Sequence, residues 1–198
     1  MTSTPPPADA SAARGLLVVV AGPSGVGKGT VHAALQRALP DAVRSVSATT
    51  RAPRPGERDG IDYRFVDRGG FRSLIDQGDL LEWAEYAGNL YGTPRGPVAA
   101  AVATGQVVLL DIEVQGALQV KAVDPDALLV FLLPPSFEEL ERRLLGRGTE
   151  DAATVAKRLD VARGEIARAD DFDVQVVNDD LERCVAEVLA AIDAARRR

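Results

Sequence analysis

The chain has 198 residues, of which 46% are hydrophobic and 26% are charged, as in a soluble globular protein with one well-buried domain. Its formal net charge of −6 argues against non-specific binding of nucleic acid across the surface. One cysteine excludes an internal disulfide and a cysteine-rich metal site, and no apolar run is long enough to span a membrane. We therefore expect a cytoplasmic protein with no membrane partner.

Strand-like and helix-like segments alternate along the chain, which is the pattern of a parallel sheet covered by helices. Residues 1–14 are rich in Pro, Ser and Ala and predict a disordered tail. The stretch 48–93 interrupts the alternation and predicts an inserted subdomain, with a helix near 69–78 and two short strands after it. Strands are predicted at 16–21, 106–112, 127–134 and 172–178, and helices at 28–39, 94–104, 113–123, 136–148, 151–168 and 180–197.

A glycine-rich loop, GPSGVGKGT, follows the first predicted strand and opens the first predicted helix. Its glycines let backbone N–H groups surround phosphate oxygens, and Lys28 adds a positive charge at the helix N-terminus. The residue after the lysine is usually Ser or Thr, whose hydroxyl reaches magnesium, but here it is Gly29 and the hydroxyl comes on Thr30. The loop predicts a phosphate site, and the full set is Gly22, Pro23, Ser24, Gly25, Val26, Gly27, Lys28, Gly29 and Thr30.

An arginine-rich segment, SVSATTRAPRPGERDGIDYRF, begins at Ser45. Arg51 and Arg54 lie three residues apart in a stretch stiffened by prolines, and two guanidinium groups held together suit a dianionic phosphate. Tyr63 can add a neutral donor. An equally good interpretation is a solvated basic loop whose arginines pair with Glu57 and Asp59.

Acidic residues follow in two places. Glu82 and Glu85 stand among aromatic residues in LLEWAEYAGNLYGT, where they could read the edge of a base or form the polar side of strands. Asp111 ends a predicted strand, and ligands of open α/β sheets bind at the carboxyl ends of strands. The competing interpretation is a buried Asp that caps the next helix.

A basic cluster follows in RRLLGRGTEDAATVAKRL. Arg143 and Arg147 would share one face of a continuous helix, where an anion between them would relieve their repulsion. Arginines closing over a transferring phosphoryl group would stabilise its spreading charge and exclude water. Arg158 is assigned the same role, whereas Arg142 also fits an ordinary salt bridge to a neighbouring glutamate. His32 receives no functional role.

Taken together, these segments resemble the guanylate kinases, which are ATP:GMP phosphotransferases, over about residues 15–195. The most specific part is TTRAPRPGE with the downstream GIDYRF, followed by EW and NLYGT. The other matching pieces are GPSGVGKGT, LLDIEVQGA, RRLLGRGTED, KRL and VVNDDLE.

The resemblance implies an α/β fold of the P-loop NTPase type, with a parallel sheet flanked by helices, a GMP-binding insert and a helical lid. The implied core covers about 15–47, 94–135 and 169–198, the insert about 48–93 and the lid about 136–168. It implies a GMP site made of Ser47, Arg51, Arg54, Tyr63, Glu82, Tyr91, Thr93 and Asp111. It also implies that the glycine-rich loop and Asn178 bind ATP, and that Lys28, Arg51, Arg143, Arg147 and Arg158 are catalytic.

Magnesium is the expected cofactor, carried by ATP. Adenylate kinases also have Gly-Lys-Gly-Thr, so Gly29 is compatible with ATP chemistry. The expectation is that ATP oxygens and waters hold the ion, with Asp111 in its outer shell, because Mg²⁺ usually keeps several waters.

Two alternatives remain open at this point. A guanylate-kinase-like interaction module would keep the fold for protein binding, but such modules usually lack the loop lysine or the lid arginines. A kinase for another monophosphate or for a sugar bisphosphate would not need Glu82 and Thr93. The expected oligomeric state is a monomer or a small homo-oligomer.

Overall fold

The computed structural model describes residues 15–86, 88–146 and 152–198, with side chains described from residue 154 in the last range. Its regular elements follow the predicted alternation. In chain order they are β1 (Leu16–Ala21), α1 (Lys28–Ala38), β2 (Val43–Arg44), β3 (Ala48–Thr49), β4 (Arg64–Phe65), α2 (Arg68–Asp76), β5 (Leu80–Tyr86), β6 (Asn89–Pro94), α3 (Arg95–Ala103), β7 (Val107–Asp111), α4 (Val114–Val123), β8 (Leu128–Leu133), α5 (Phe137–Leu145), α6 (Ala152–Ile166), β9 (Val174–Val177) and α7 (Leu181–Arg196).

Five parallel strands form the main sheet in the order β2-β7-β1-β8-β9. The central strand β1 is buried along its whole length. A strand covered on both faces has no polar side, which explains the continuous apolar run LLVVVA. The predicted α/β class with a parallel core is confirmed.

Helices cover both faces of this sheet. On one face, α1 and α7 pack Val31, Leu35, Val188 and Ile192 against it. On the other face, α3 and α4 bury Val98, Ala101, Val114, Ala117 and Val120. The carboxyl ends of all five strands therefore open at one edge of the layer, where ligands of such folds bind.

A second sheet of four strands, in the order β4-β3-β6-β5, lies between β2 and α3 in the chain. Its small core contains Ala48, Phe71, Leu80 and Leu90. The helix α2 begins at an N-cap, Asp67, whose carboxylate accepts a hydrogen bond from the Gly70 N–H at 2.6 Å. The cap and the apolar contact of Phe71 fix this helix on the small sheet.

The helices α5 and α6 form a third cluster in which Leu140, Leu144 and Val155 are buried together. Ser136 is the N-cap of α5, because its hydroxyl oxygen accepts a hydrogen bond from the Glu139 N–H at 3.1 Å. None of the helices that the structure describes is long and apolar enough to cross a membrane.

Candidate active site

The glycine-rich loop connects β1 to α1, as the sequence predicts. Gly27 has a left-handed backbone with φ of 104°, and a Cβ at this position would lie 2.6 Å from the amide nitrogen of Asn178. Only glycine suits both the backbone angle and the close approach. The loop therefore turns sharply enough to start α1 with its N–H groups directed along the helix axis.

The side chain of Lys28 lies across this loop, and its ammonium group donates to the Gly22 carbonyl at 2.6 Å. Val26 anchors the loop to the apolar core, in which its side chain is fully buried. Gly29 and Thr30 line the first turn of α1, and a Cβ at Gly29 would meet no atom within 4 Å. The glycine after the lysine is thus not required by packing.

Asn178 lies beside the loop. Its side chain is buried and donates to the Val26 carbonyl at 2.8 Å. Its backbone N–H donates to the Leu133 carbonyl at 2.8 Å, which joins the end of β8 to the loop. In the structure Asn178 thus holds the loop in place, and its predicted contact with adenine stays a prediction.

A cavity of about 240 Å³ lies between the small sheet and the carboxyl end of β7. It brings together five of the eight residues predicted to bind GMP, from distant segments of the chain. These are Ser47, Tyr63, Glu82, Tyr91 and Asp111. The residues 82, 84 and 86 of β5 line it, whereas the exposed Trp83 and Glu85 alternate with them.

Glu82 is the buried carboxylate of this cavity, with an exposed fraction of 6%. One of its oxygens accepts a hydrogen bond from the hydroxyl of Thr93, which is fully buried, at 2.6 Å. Burial raises the pKa of Glu82, and the hydrogen bond from Thr93 opposes this rise. Two residues that the sequence analysis assigned to one site therefore contact each other directly.

Arg51 contacts Tyr63, which lines the cavity. The Arg51 guanidinium lies 5.4 Å from the centroid of the Tyr63 ring and donates to Glu57 at 2.8 Å. This hydrogen bond from Arg51 lowers the pKa of Glu57. Tyr63 and Tyr91 also contact each other edge-on, with centroids 6.2 Å apart, so a cation and two phenols share one corner.

Arg54 does not share this corner in the structure. Its side chain is exposed, and its backbone N–H donates to Glu57 at 2.7 Å. Of the two acids that the sequence analysis named as partners, Glu57 pairs with Arg51, and Asp59 does not pair with an arginine among the described residues. That carboxylate instead accepts a hydrogen bond from the Phe65 N–H at 2.9 Å.

Asp111 stands at the carboxyl end of β7, where its backbone pairs in register with Val20 of β1. Since Val20 lies two residues before Gly22, this carboxylate comes near the start of the glycine-rich loop. Asp111 is exposed, and the N-cap of α4 is Glu113, which makes no side-chain capping bond. The alternative of a buried helix-capping Asp is therefore wrong.

Two acids that the sequence analysis missed lie near the same loop. Glu165 of α6 hydrogen bonds with Glu113 and with the backbone of Ser24. Burial, followed by the proximity of Glu113, raises the pKa of Glu165 to about 7, while Lys28 opposes the rise. Glu165 belongs to no motif, and Glu113 lies in the LLDIEVQGA piece without an assigned role, so only the fold brings the two acids together.

His32 is buried beneath the loop, one turn after Lys28 on α1. Its Nε2 has no hydrogen-bond partner among the described residues. Burial lowers its pKa, although Asp111 opposes this change. The imidazole is therefore held in its neutral form.

The arginines of the predicted lid have different environments. Arg143 donates to the carbonyls of Val26 and Asn178 at 3.1 and 3.2 Å and to the carboxylate of Glu139 at 2.8 Å. Arg142 is far more exposed and pairs with Glu139 at 2.8 Å, which confirms the salt-bridge interpretation.

The other two lid arginines lie beyond α5. Arg158 is half-buried on α6. The last residue of α5 is Leu145, and Arg147 lies outside the described residues.

Comparison with known proteins identifies the family of the chain. The guanylate kinase family model matches residues 14–195. The chain belongs to the guanylate kinase family. It is 55% identical to a guanylate kinase of Thermobifida fusca over 178 residues, covering 90% of this chain and 91% of the relative. It is 56% identical to a guanylate kinase of Thermus thermophilus over 186 residues, covering 93% of this chain and 84% of the relative.

Solved structures agree with the family assignment. The crystal structure of a guanylate kinase from Anaplasma phagocytophilum is 34% identical, with a TM-score of 0.76 over 94% of this chain and 88% of that one. A shikimate kinase from Bacteroides thetaiotaomicron, 14% identical with a TM-score of 0.50, covers 90% of this chain and 98% of that one and shares the fold alone. The predicted family and its P-loop NTPase fold are confirmed.

Proposed function

We propose that the chain transfers the γ-phosphoryl group of ATP to GMP, giving ADP and GDP for the synthesis and recycling of guanine nucleotides. The observation that carries this proposal is the buried Glu82 carboxylate, held by Thr93 in a cavity that also contains Tyr63 and Tyr91. A carboxylate in such a place recognises a ligand that offers two adjacent N–H donors.

Guanine is a base of this kind, because its N1–H and exocyclic amine lie on one edge. One oxygen of Glu82 is already bound to Thr93, and both oxygens retain lone pairs for the base. Adenine has no N1–H and no amine at the neighbouring carbon, so it would leave the buried carboxylate unpaired. Leaving a buried polar group unpaired in this way favours the guanine nucleotide over the adenine nucleotide by roughly 10⁴-fold or more. Ser47 and Thr93 lie near the guanine oxygen in this proposal.

The GMP phosphate is assigned to the corner formed by Arg51, Tyr63 and Tyr91. A guanidinium group has five N–H donors, so its bonds to Glu57 and Ala52 leave others for a phosphate. Arg54 requires a rotation of its exposed side chain to join them.

ATP is assigned to the glycine-rich loop, where Lys28 would exchange its bond to Gly22 for one to phosphate oxygens. Arg143, Arg147 and Arg158 would stabilise the charge on the transferring phosphoryl group. Asn178 is placed near the adenine. No covalent intermediate or dedicated base is needed, since the acceptor phosphate is already anionic and catalysis rests on positioning and on charge neutralisation.

The residues near the loop fit a magnesium ion that ATP carries into the site. The described residues contain no cluster of three or more acidic, histidine or cysteine side chains around one point, which suits an ion held by phosphate oxygens and waters. Asp111 stands where it can orient those waters, and Gly29 leaves open space beside the loop. When bound, the ion neutralises phosphate charge. We also propose a cytoplasmic location and a monomer or small homo-oligomer.

The test is ADP release from Mg-ATP with GMP, dGMP, AMP, CMP and dTMP offered separately, for the unaltered chain and two matched variants. Glu82→Gln replaces the cavity carboxylate, whereas Glu85→Gln changes an exposed acid on the opposite face of the same strand. We expect turnover with GMP, near-silence with AMP, and a rise in KM for GMP of about 30-fold or more for Glu82→Gln alone. Silence with every acceptor in a folded protein would refute the kinase, and equal effects of the two variants would refute the role of Glu82.

A further inference from the structure

Gly116 is a buried glycine in the interior of α4. Its backbone is helical with a negative φ, so the backbone conformation does not require glycine. Glycine destabilises a helix interior relative to alanine. The contacts around position 116 must therefore explain why glycine occupies it.

That space is filled by the carboxylate of Glu82. A Cβ at position 116 would lie 2.5 Å from Oε2 of Glu82, 3.2 Å from its Cδ and 3.3 Å from the Ile112 side chain. The other oxygen of Glu82 is held by Thr93 at 2.6 Å. The carboxylate is thus held between a hydroxyl on β6 and the bare backbone of α4.

Gln119 opposes a movement of α4 away from β5, because it ties the helix to that strand. The Gln119 amide donates to the Trp83 carbonyl at 2.9 Å, and its oxygen accepts from the Trp83 N–H at 3.2 Å. Trp83 is the neighbour of Glu82, and Gln119 lies one helical turn after Gly116. A side chain at position 116 would therefore displace the carboxylate.

We infer that Gly116 is a positioning residue for base recognition, which sets the place of the Glu82 carboxylate by leaving room for it on α4. This inference rests on the proposed role of Glu82 in reading guanine. A displaced carboxylate would meet the two N–H donors of the base at the wrong distance and angle, and misplacement of a recognition group by about 1 Å costs up to 100-fold. We therefore expect weaker binding of GMP and unchanged binding of ATP.

The test compares Gly116→Ala with Gly96→Ala, a matched control in the first turn of α3 where an added Cβ would meet no atom within 4 Å. We expect Gly116→Ala to raise KM for GMP about tenfold or more, with KM for ATP changed less than twofold. Gly96→Ala is expected to leave both values unchanged. A KM for GMP within twofold of the unaltered chain in Gly116→Ala would overturn the inference.

The double variant Glu82→Ala/Gly116→Ala separates a clash with the carboxylate from a general packing defect. If the inference is correct, Gly116→Ala adds less than twofold to KM for GMP in the Glu82→Ala background, and it lowers the melting temperature less there than in the unaltered chain. If Gly116→Ala alone does not fold, a folded double variant supports the inference and an unfolded one refutes it.

The single variant Glu82→Ala tests base recognition by Glu82 separately from the positioning role of Gly116. An unchanged KM for GMP in Glu82→Ala would refute the proposed base reader, and the inference with it. An impaired Glu82→Ala beside a normal Gly116→Ala would refute the positioning role alone.

Discussion

Replacing Glu165 with Gln is expected to stabilise the protein at pH 8 and to have a much smaller effect near pH 5. In the folded chain, burial and the neighbouring Glu113 raise the pKa of Glu165 to about 7 from its ordinary 4.5. A carboxyl group whose pKa is raised on folding keeps its proton in the folded state while the unfolded chain ionises. The stability contributed by the proton is complete below pH 4.5 and is lost as the pH rises through 7.

The size of this effect follows from the two pKa values. A rise from 4.5 to about 7 corresponds to roughly 3.4 kcal/mol at full burial, since each unit is worth about 1.36 kcal/mol. Glu165 is only half-buried, so solvent screening reduces the expected loss to on the order of 1–2 kcal/mol. Gln mimics the protonated acid and does not titrate. Its advantage should therefore grow between pH 5 and 8, to about 3–6 °C in melting temperature.

The assay is urea unfolding at pH 5, 6, 7 and 8 for the unaltered chain, Glu165→Gln and Glu141→Gln. Glu141 is an exposed acid on α5 and controls for the loss of a negative charge. The reasoning would be refuted if Glu165→Gln followed the unaltered chain at every pH. It would also be refuted if this variant were the less stable protein at pH 8, because the carboxylate would then be ionised and stabilised by Lys28.

Two further predictions concern the lid and the core. Arg143→Ala should lower the free energy of unfolding by about 1–2 kcal/mol and raise KM for ATP, because it removes the bonds to Val26 and Asn178. Arg142→Ala, with its side chain 77% exposed, should change stability by less than about 0.5 kcal/mol, and equal melting temperatures of the two variants would contradict this reasoning. Burial raises the pKa of the Cys184 thiol to about 11, so a maleimide should label it only in denaturant. Rapid labelling of the native chain would show that this part of α7 opens.

The sequence could predict those parts of the fold and site that depend on local pattern. Continuous apolar runs indicated the buried strands, and the spacing of Gly22, Gly27 and Lys28 indicated the loop between β1 and α1. The helix predicted at 94–104 likewise agrees with α3 to within one residue at each end. Each of these signals lies within one segment of the chain, where the backbone conformation follows from neighbouring residues.

Contacts between distant segments could not be predicted in this way. Residues 113 and 165 approach the loop only because the strand order places β7 beside β1 and because α6 lies over that edge. The rigid turn around Arg51 and Arg54 suggested that both side chains face one phosphate, whereas Glu57 bonds the side chain of one and only the backbone of the other. The sequence alone does not indicate whether Glu57 bonds the side chain or the backbone of each arginine.

The bridge from Gln119 to Trp83 also has a mechanical consequence. The side-chain nitrogen and oxygen of Gln119 both bond the backbone of Trp83, so this point of the small sheet is fixed to α4. A displacement of β5 relative to α4 would break both hydrogen bonds, so Glu82 on β5 and Gly116 on α4 would shift together.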